Sequence, residues 1–141
     1  PGPGIPSEAG NMGKIIAACA GKKPILGICL GHQAIAEYLG AKLNNMSSVY
    51  HGVKNKINIL SNEEIFEGIP EEIEVGRYHS WEVVREGLPE NISVTAEDEN
   101  GTIMALSDAS QKLYGIQFHP ESVMTEYGEE MIQNFLKIAK S

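Results

Sequence analysis

The chain has 141 residues, enough for one domain with its own hydrophobic core. Hydrophobic residues make up 42% and charged residues 21%, an ordinary globular balance that argues against a largely disordered chain. With 19 acidic and 11 basic residues the net charge is −8, and a surface of that sign repels phosphate backbones, so nucleic acid is not an expected partner. The longest apolar run, residues 15–20, is far shorter than the roughly 20 residues of a membrane-spanning helix. No stretch has the charged-then-apolar pattern of a signal peptide. Cys19 and Cys29 lie in different chemical settings and do not make a disulfide framework, so a reducing, cytoplasmic compartment is expected.

Residues 1–6 read as a loop. A Pro/Gly turn normally joins two elements, and nothing stands in front of Pro1-Gly2-Pro3-Gly4, so an N-terminal part is expected to be missing. Ser7 is placed to cap a helix carrying Met12, Ile15, Ile16 and Cys19 at helical spacing, with Gly21 as its stop. Residues 24–28 read as a short buried strand running into Cys29. A second helix follows, with Ala34, Ile35, Tyr38 and Leu39 on its apolar face and Gly40 ending it. Strand, turn and helix in this order give the α/β rhythm of a parallel sheet. Residues 48–60 alternate weakly, as a strand does, and a helical turn is expected at 63–66. Residues 73–84 read as two strand pieces around Tyr78-His79-Ser80. Strands at 92–96, 102–106 and 113–118 complete the set. The last helix is expected over 126–140, capped by Thr125, with Glu126, Glu129 and Glu130 at its start and Lys137 and Lys140 at its end. Met131, Ile132, Phe135 and Ile138 would face the sheet. One domain spans 1–141, with no repeat, linker or low-complexity tract.

Two stretches carry chemistry. Gly27-Ile28-Cys29-Leu30-Gly31 places a reactive side chain between glycines at a strand-to-helix corner, the layout of a nucleophile elbow. Such a corner strains the nucleophile's backbone and lifts its tip above the sheet. The helix that starts there aims N–H groups and its positive dipole end at the sulfur, which favours thiolate. The Leu30 N–H then lies where an oxyanion would form. Cys19, on an apolar helical stripe without flanking glycines, reads as a packing residue. The second stretch is Gln117-Phe118-His119-Pro120-Glu121-Ser122, directly after a strand. Pro120 keeps His119 extended, and residues two apart on an extended chain project to the same side. Glu121 can therefore hold one imidazole nitrogen of His119 protonated while the other takes the Cys29 proton. No Cys or His pair has zinc-site spacing, and neither a metal nor an organic cofactor is expected.

These residues resemble the class I glutamine amidotransferases. Gly-Ile-Cys-Leu-Gly-His-Gln-Ala at 27–34 looks like their nucleophile motif, 117–122 like their His-Pro-Glu motif, and 1–6 like their glycine-rich oxyanion loop. The likeness runs over essentially the whole chain. Residues 1–10, Arg-Tyr-His-Ser at 77–80 and 122–128 look like the branch of glutaminase subunits serving anthranilate synthase, with its close relative serving aminodeoxychorismate synthase. The resemblance implies a mixed, mostly parallel sheet flanked by helices, with strands before residue 1. It implies that Cys29, His119 and Glu121 form a triad. It further implies that Gly2, Pro3, Gly4 and Leu30 shape the oxyanion and glutamine site, and that Gln33, Ser80 and Trp81 contact substrate. Pro1 and Pro3 lack an N–H, so donors in that loop come from Gly2, Gly4 or Ile5. A Leu is more usual where Trp81 stands. His32 and His79 read as structural. His51 resembles a loop near the partner synthase and reads equally as a solvated loop residue. L-Glutamine is the implied substrate and a chorismate-binding synthase the implied partner. Two rivals stay open: a cysteine hydrolase of another γ-glutamyl substrate, and a non-catalytic subunit that only regulates a partner.

Overall fold

The computed structural model describes residues 11–47, 49–62 and 64–140. The 1–6 loop with Gly2, Pro3, Gly4 and Ile5, the Ser7 cap, Ser48 and Glu63 lie outside the described residues. Helix α1 is Met12–Cys19, with Ile16 buried and Ile15 exposed. Gly21, at φ +77°, turns the chain out of it, and its N–H reaches Gln111 O at 2.8 Å. Strand β1, Ile25–Ile28, enters Cys29, and helix α2, Leu30–Tyr38, leaves it. Strands β2 (Leu43–Asn45), β3 (Val53–Ile59), β4 (Glu72–Arg77), β5 (Trp81–Val83), β6 (Ser93–Asp98), β7 (Ile103–Asp108) and β8 (Leu113–Ile116) follow, and helix α3, Gly128–Lys140, comes last. Glu64–Phe66 and Ala109–Gln111 are single 3₁₀ turns.

The six-stranded sheet runs β1-β8-β7-β6-β3-β4, while β2 and β5 form a separate antiparallel pair. The sheet is mixed, as the resemblance implies, and among the described residues its parallel character is confined to β1 and β8; the other pairs are antiparallel. All six residues of β7 are buried, so this central strand is covered on both faces. Ile103, Leu106 and Leu113 pack with Ile16, Ala34 and Ile35 of α1 and α2. Met104, Tyr114 and Ile116 pack with Phe66, Phe118 and Met131 on the side of α3. Burying a side chain the size of Met131, 1% exposed here, contributes roughly 1.5–3 kcal/mol.

Helix α3 starts two residues later than the sequence pattern suggests. Tyr127 sits at φ +59°, outside helical geometry. Thr125, expected as the cap, instead donates its hydroxyl to His119 O at 2.6 Å and accepts Gly76 N–H at 3.0 Å. Glu126 accepts Glu74 N–H at 2.7 Å. These residues fasten the 119–126 loop to β4 rather than opening a helix. Met131 is buried, Phe135 and Ile138 pack beside it, and Asn134 donates to Ile65 O and Glu67 O at 2.9 and 3.0 Å, locking the nearby 3₁₀ turn. Tyr38, expected on the apolar face of α2, is 40% exposed, whereas His32 and Gln33 are buried.

Candidate active site

The parallel pairing of β1 and β8 assembles the site. Their register sets Ile28 opposite Ile116, and Cys29 N–H continues the ladder to Ile116 O at 2.8 Å. Both strands therefore end at the same edge of the sheet. Cys29 follows one and Gln117-Phe118-His119 the other, so two motifs 88 positions apart meet at the carboxyl ends of neighbouring strands.

Cys29 holds φ 56° and ψ −101°, the strained corner expected of a nucleophile elbow. Gly27 allows it: a Cβ there would strike the Gly31 carbonyl and come within 2.7 Å of His32 N. A Cβ on Gly31 would meet nothing among the described residues, so no clash explains that second glycine. Cys29 is 4% exposed. Its S–H points to Tyr78 O at 3.7 Å, and Gln117 Nε2 approaches it at 3.7 Å. Burial pushes the Cys29 thiol above its ordinary value, and the Glu121 charge adds to this; the Leu30 N–H and Gln117 amide work the other way. The helix terminus thus offsets burial only in part.

His119 Nδ1 lies 2.8 Å from Glu121 Oε2. The carboxylate holds the proton on Nδ1, which leaves Nε2 as the acceptor. The turn beneath is rigid: His119 N–H bonds Gly76 O at 3.2 Å, and His119 O accepts from Ser122 N and Thr125 Oγ1. Gly76 must be small, since a Cβ there would lie 2.9 Å from Ser122 Oγ and 3.2 Å from Met124 Cβ. Tyr78 meets the imidazole edge-on, ring centroids 5.0 Å apart. Cys29, His119 and Glu121 line one open cavity of about 650 Å³ with His51, Tyr78, Ser122 and Val123. His51 thus shares the cavity lining with an exposed Val123.

Gln33, one helical turn beyond Cys29, is 2% exposed. Its Nε2 donates to Trp81 O at 3.0 Å and to Gln117 Oε1 at 3.2 Å, while its Oε1 has no partner among the described residues. Trp81 O also takes His79 Nδ1–H at 3.0 Å, so Trp81 faces the interior network through its carbonyl. Ser80 O accepts Met46 N–H at 2.8 Å. His79 is neutral, held down to about 4 chiefly by burial, and its Nε2 accepts Arg77 Nε–H at 3.0 Å. Arg77 pairs with Asp98 at 2.8 Å, both side chains buried, and its guanidinium covers Tyr50 at 3.7 Å. Sequence reasoning gave no role to Arg77, Asp98 or Gln117. For Gln117 a signal exists: the two-residue alternation that pairs His119 with Glu121 also puts Gln117 on the side of His119. Among the described residues no group of three His, Cys, Asp or Glu side chains could hold a metal ion.

A cysteine at a strained strand–helix corner, with a carboxylate-oriented histidine at the end of the adjacent parallel strand, belongs to the α/β acyl-transfer architectures. The model of glutamine amidotransferase class-I matches residues 1–139, and the chain belongs to that family. It is 44% identical over 138 residues to anthranilate synthase component 2 of Lactococcus lactis, covering 96% of this chain and 69% of the relative. It is 42% identical over 137 residues to aminodeoxychorismate/anthranilate synthase component 2 of Bacillus subtilis, covering 97% and 70%. A solved structure from Thermoplasma acidophilum, provisionally described as part of a GMP synthase, superposes with a TM-score of 0.85 at 33% identity, over 95% of this chain and 65% of that one. Among the described residues no helix is long and apolar enough to cross a membrane.

Proposed function

We propose that the chain is the glutaminase part of a chorismate-using synthase, hydrolysing L-glutamine to glutamate and ammonia through Cys29, His119 and Glu121. The observation that carries this reading is the β1–β8 register, which brings a Cys29 at φ 56° beside a His119–Glu121 pair 2.8 Å apart. His119 Nε2 takes the thiol proton as Cys29 attacks the side-chain carboxamide of glutamine. The oxyanion faces Leu30 N–H and, in this reading, a donor from the loop holding Gly2, Pro3 and Gly4. The imidazolium returns its proton to the leaving nitrogen, and ammonia departs from a thioester. Water, deprotonated by His119, then releases glutamate and restores the thiol. Glu121 steadies the imidazolium throughout. Gln33, Ser80 and Trp81 belong to the glutamine-binding side of the site, and the free thiols Cys19 and Cys29 suit a reducing cytoplasm.

Ammonia serves as the nucleophile of the partner reaction. The higher identity to the two chorismate-branch relatives, 44% and 42%, than to the GMP synthase-like structure, 33%, supports an anthranilate synthase partner. The double name of the Bacillus subtilis relative supports aminodeoxychorismate synthase as a second reading. The test is glutamate release at fixed glutamine, with each chorismate-binding synthase supplied in purified form in turn. The reading predicts low activity alone and a rise with the cognate synthase, since ammonia freed into neutral water is protonated and lost as a nucleophile. Maximal activity without any partner would refute the gating, and no glutamate under any condition would refute the function.

A further inference from the structure

We propose that Gln117 is a catalytic residue, whose side-chain N–H stabilises the Cys29 thiolate and whose orientation is fixed by Gln33. The inference rests on the reading of Cys29 as nucleophile and deepens it. Gln117 is fully buried, and a buried amide requires partners for both ends. Its Oε1 accepts Gln33 Nε2–H at 3.2 Å, which leaves its Nε2 facing Cys29 Sγ at 3.7 Å. The opposite amide orientation would set two NH₂ groups against each other, because Gln33 has already committed its Nε2 to Trp81 O and to Gln117. The end of Gln117 that meets the sulfur is therefore a donor.

The sulfur needs such a donor. Its enclosure favours the neutral thiol, and so does Tyr78 O, which accepts an S–H but opposes a thiolate. Of the titratable groups around it, Glu121 opposes a second negative charge nearby, and the buried His32 and His79 are neutral at physiological pH. His119 receives the proton, while Tyr78 and His51 stand at the cavity wall. Among the described residues, the Leu30 N–H and the Gln117 amide are left to favour the charged sulfur. Leu30 N–H is also the donor assigned to the oxyanion, so once the substrate binds Gln117 is the donor that stays with the sulfur.

The test is the pH profile of Cys29 alkylation by iodoacetamide, read by mass spectrometry so that Cys29 and Cys19 are scored separately. Gln117→Met keeps the volume and removes the amide. Gln117→Glu keeps an acceptor for Gln33 and turns an oxygen toward the sulfur. Both variants should move the Cys29 profile upward by about one pH unit, making alkylation at neutral pH about tenfold slower, with a parallel fall in kcat. If Gln117→Met does not fold, Gln117→Leu, likewise neutral and without an amide, carries the same comparison. A wild-type profile in the folded variants overturns the role of Gln117, whatever their turnover. The nucleophile reading fails separately, by glutaminase activity that survives Cys29→Ser.

Discussion

Lowering the pH should destabilise this protein well before its carboxylates protonate, and His32 is the clearest reason. The ring is fully enclosed on α2, against Gly115, where a Cβ would come within 2.7 Å of Nδ1. Neither ring nitrogen has a hydrogen-bond partner of good geometry among the described residues. Burial pushes His32 down from 6.5 to about 3; the nearby Gly115 backbone offsets little of this, and His79 adds to it. Burial likewise takes His79 down from 6.5 to about 4. A folded-state pKa below the unfolded value means that the stabilisation is present above about pH 6.5 and is lost as pH falls toward the folded value. Between about pH 7 and about pH 5 each histidine should cost about 2 kcal/mol, together about 4 kcal/mol, against a usual total stability of about 5–15 kcal/mol. Asp98 and Asp108 act elsewhere on the scale. Burial raises both, but the Thr102 and Asn100 amides with Arg77 hold Asp98 below the usual carboxylate range, and Ser110, Asn91 and Gln111 do so for Asp108. Their contributions are lost only below about pH 4, leaving the higher window to the histidines. Urea unfolding at several pH values should show the loss of about 4 kcal/mol in the wild type and about half of it in His32→Gln. The same pH slope in both proteins would refute the account of His32 as a neutral, buried, unpartnered ring.

Glu121→Gln should lower turnover while still allowing thioester formation, because Glu121 orients His119 without itself exchanging a proton; trapping the acyl-enzyme with labelled glutamine checks this, and full turnover would refute it. Asp98→Ala leaves Arg77 buried without its carboxylate and should cost about 3–5 kcal/mol in a denaturant titration, whereas a loss under about 1 kcal/mol would show the pair to be dispensable.

Much of the site is legible in the sequence because short-range geometry makes it so. A glycine-flanked cysteine at a strand end and a His-Pro-Glu run after another strand each place their side chains through local backbone rules. Their meeting depends on which strands are neighbours, and no local pattern gives the β1–β8 pairing. The same limit hides Arg77 and Asp98, whose 2.8 Å contact crosses 21 positions. Strand β2 escapes notice because its three residues include exposed Asn44 and Asn45, with no alternation to read. Thr125 reads as a cap because a hydroxyl before acidic residues and an apolar stripe is a good cap. Its actual partners, His119 O and Gly76 N, come from the fold. Val49 counts as a strand residue by type, yet it is 70% exposed and precedes β3, which starts at Val53.

If Cys29 in particular carries the chemistry, replacing it and replacing Cys19 must have different effects. The deciding measurement is glutamate release by Cys29→Ser and Cys19→Ser, assayed side by side at saturating glutamine with the partner synthase present. Cys19 lies on α1 and is not among the residues that line the cavity at Cys29. Cys29→Ser should abolish glutamate release, because an alcohol there lacks thiolate reactivity, and Cys19→Ser should leave it largely intact. Equal loss in the two variants, or activity that survives in Cys29→Ser, would contradict this.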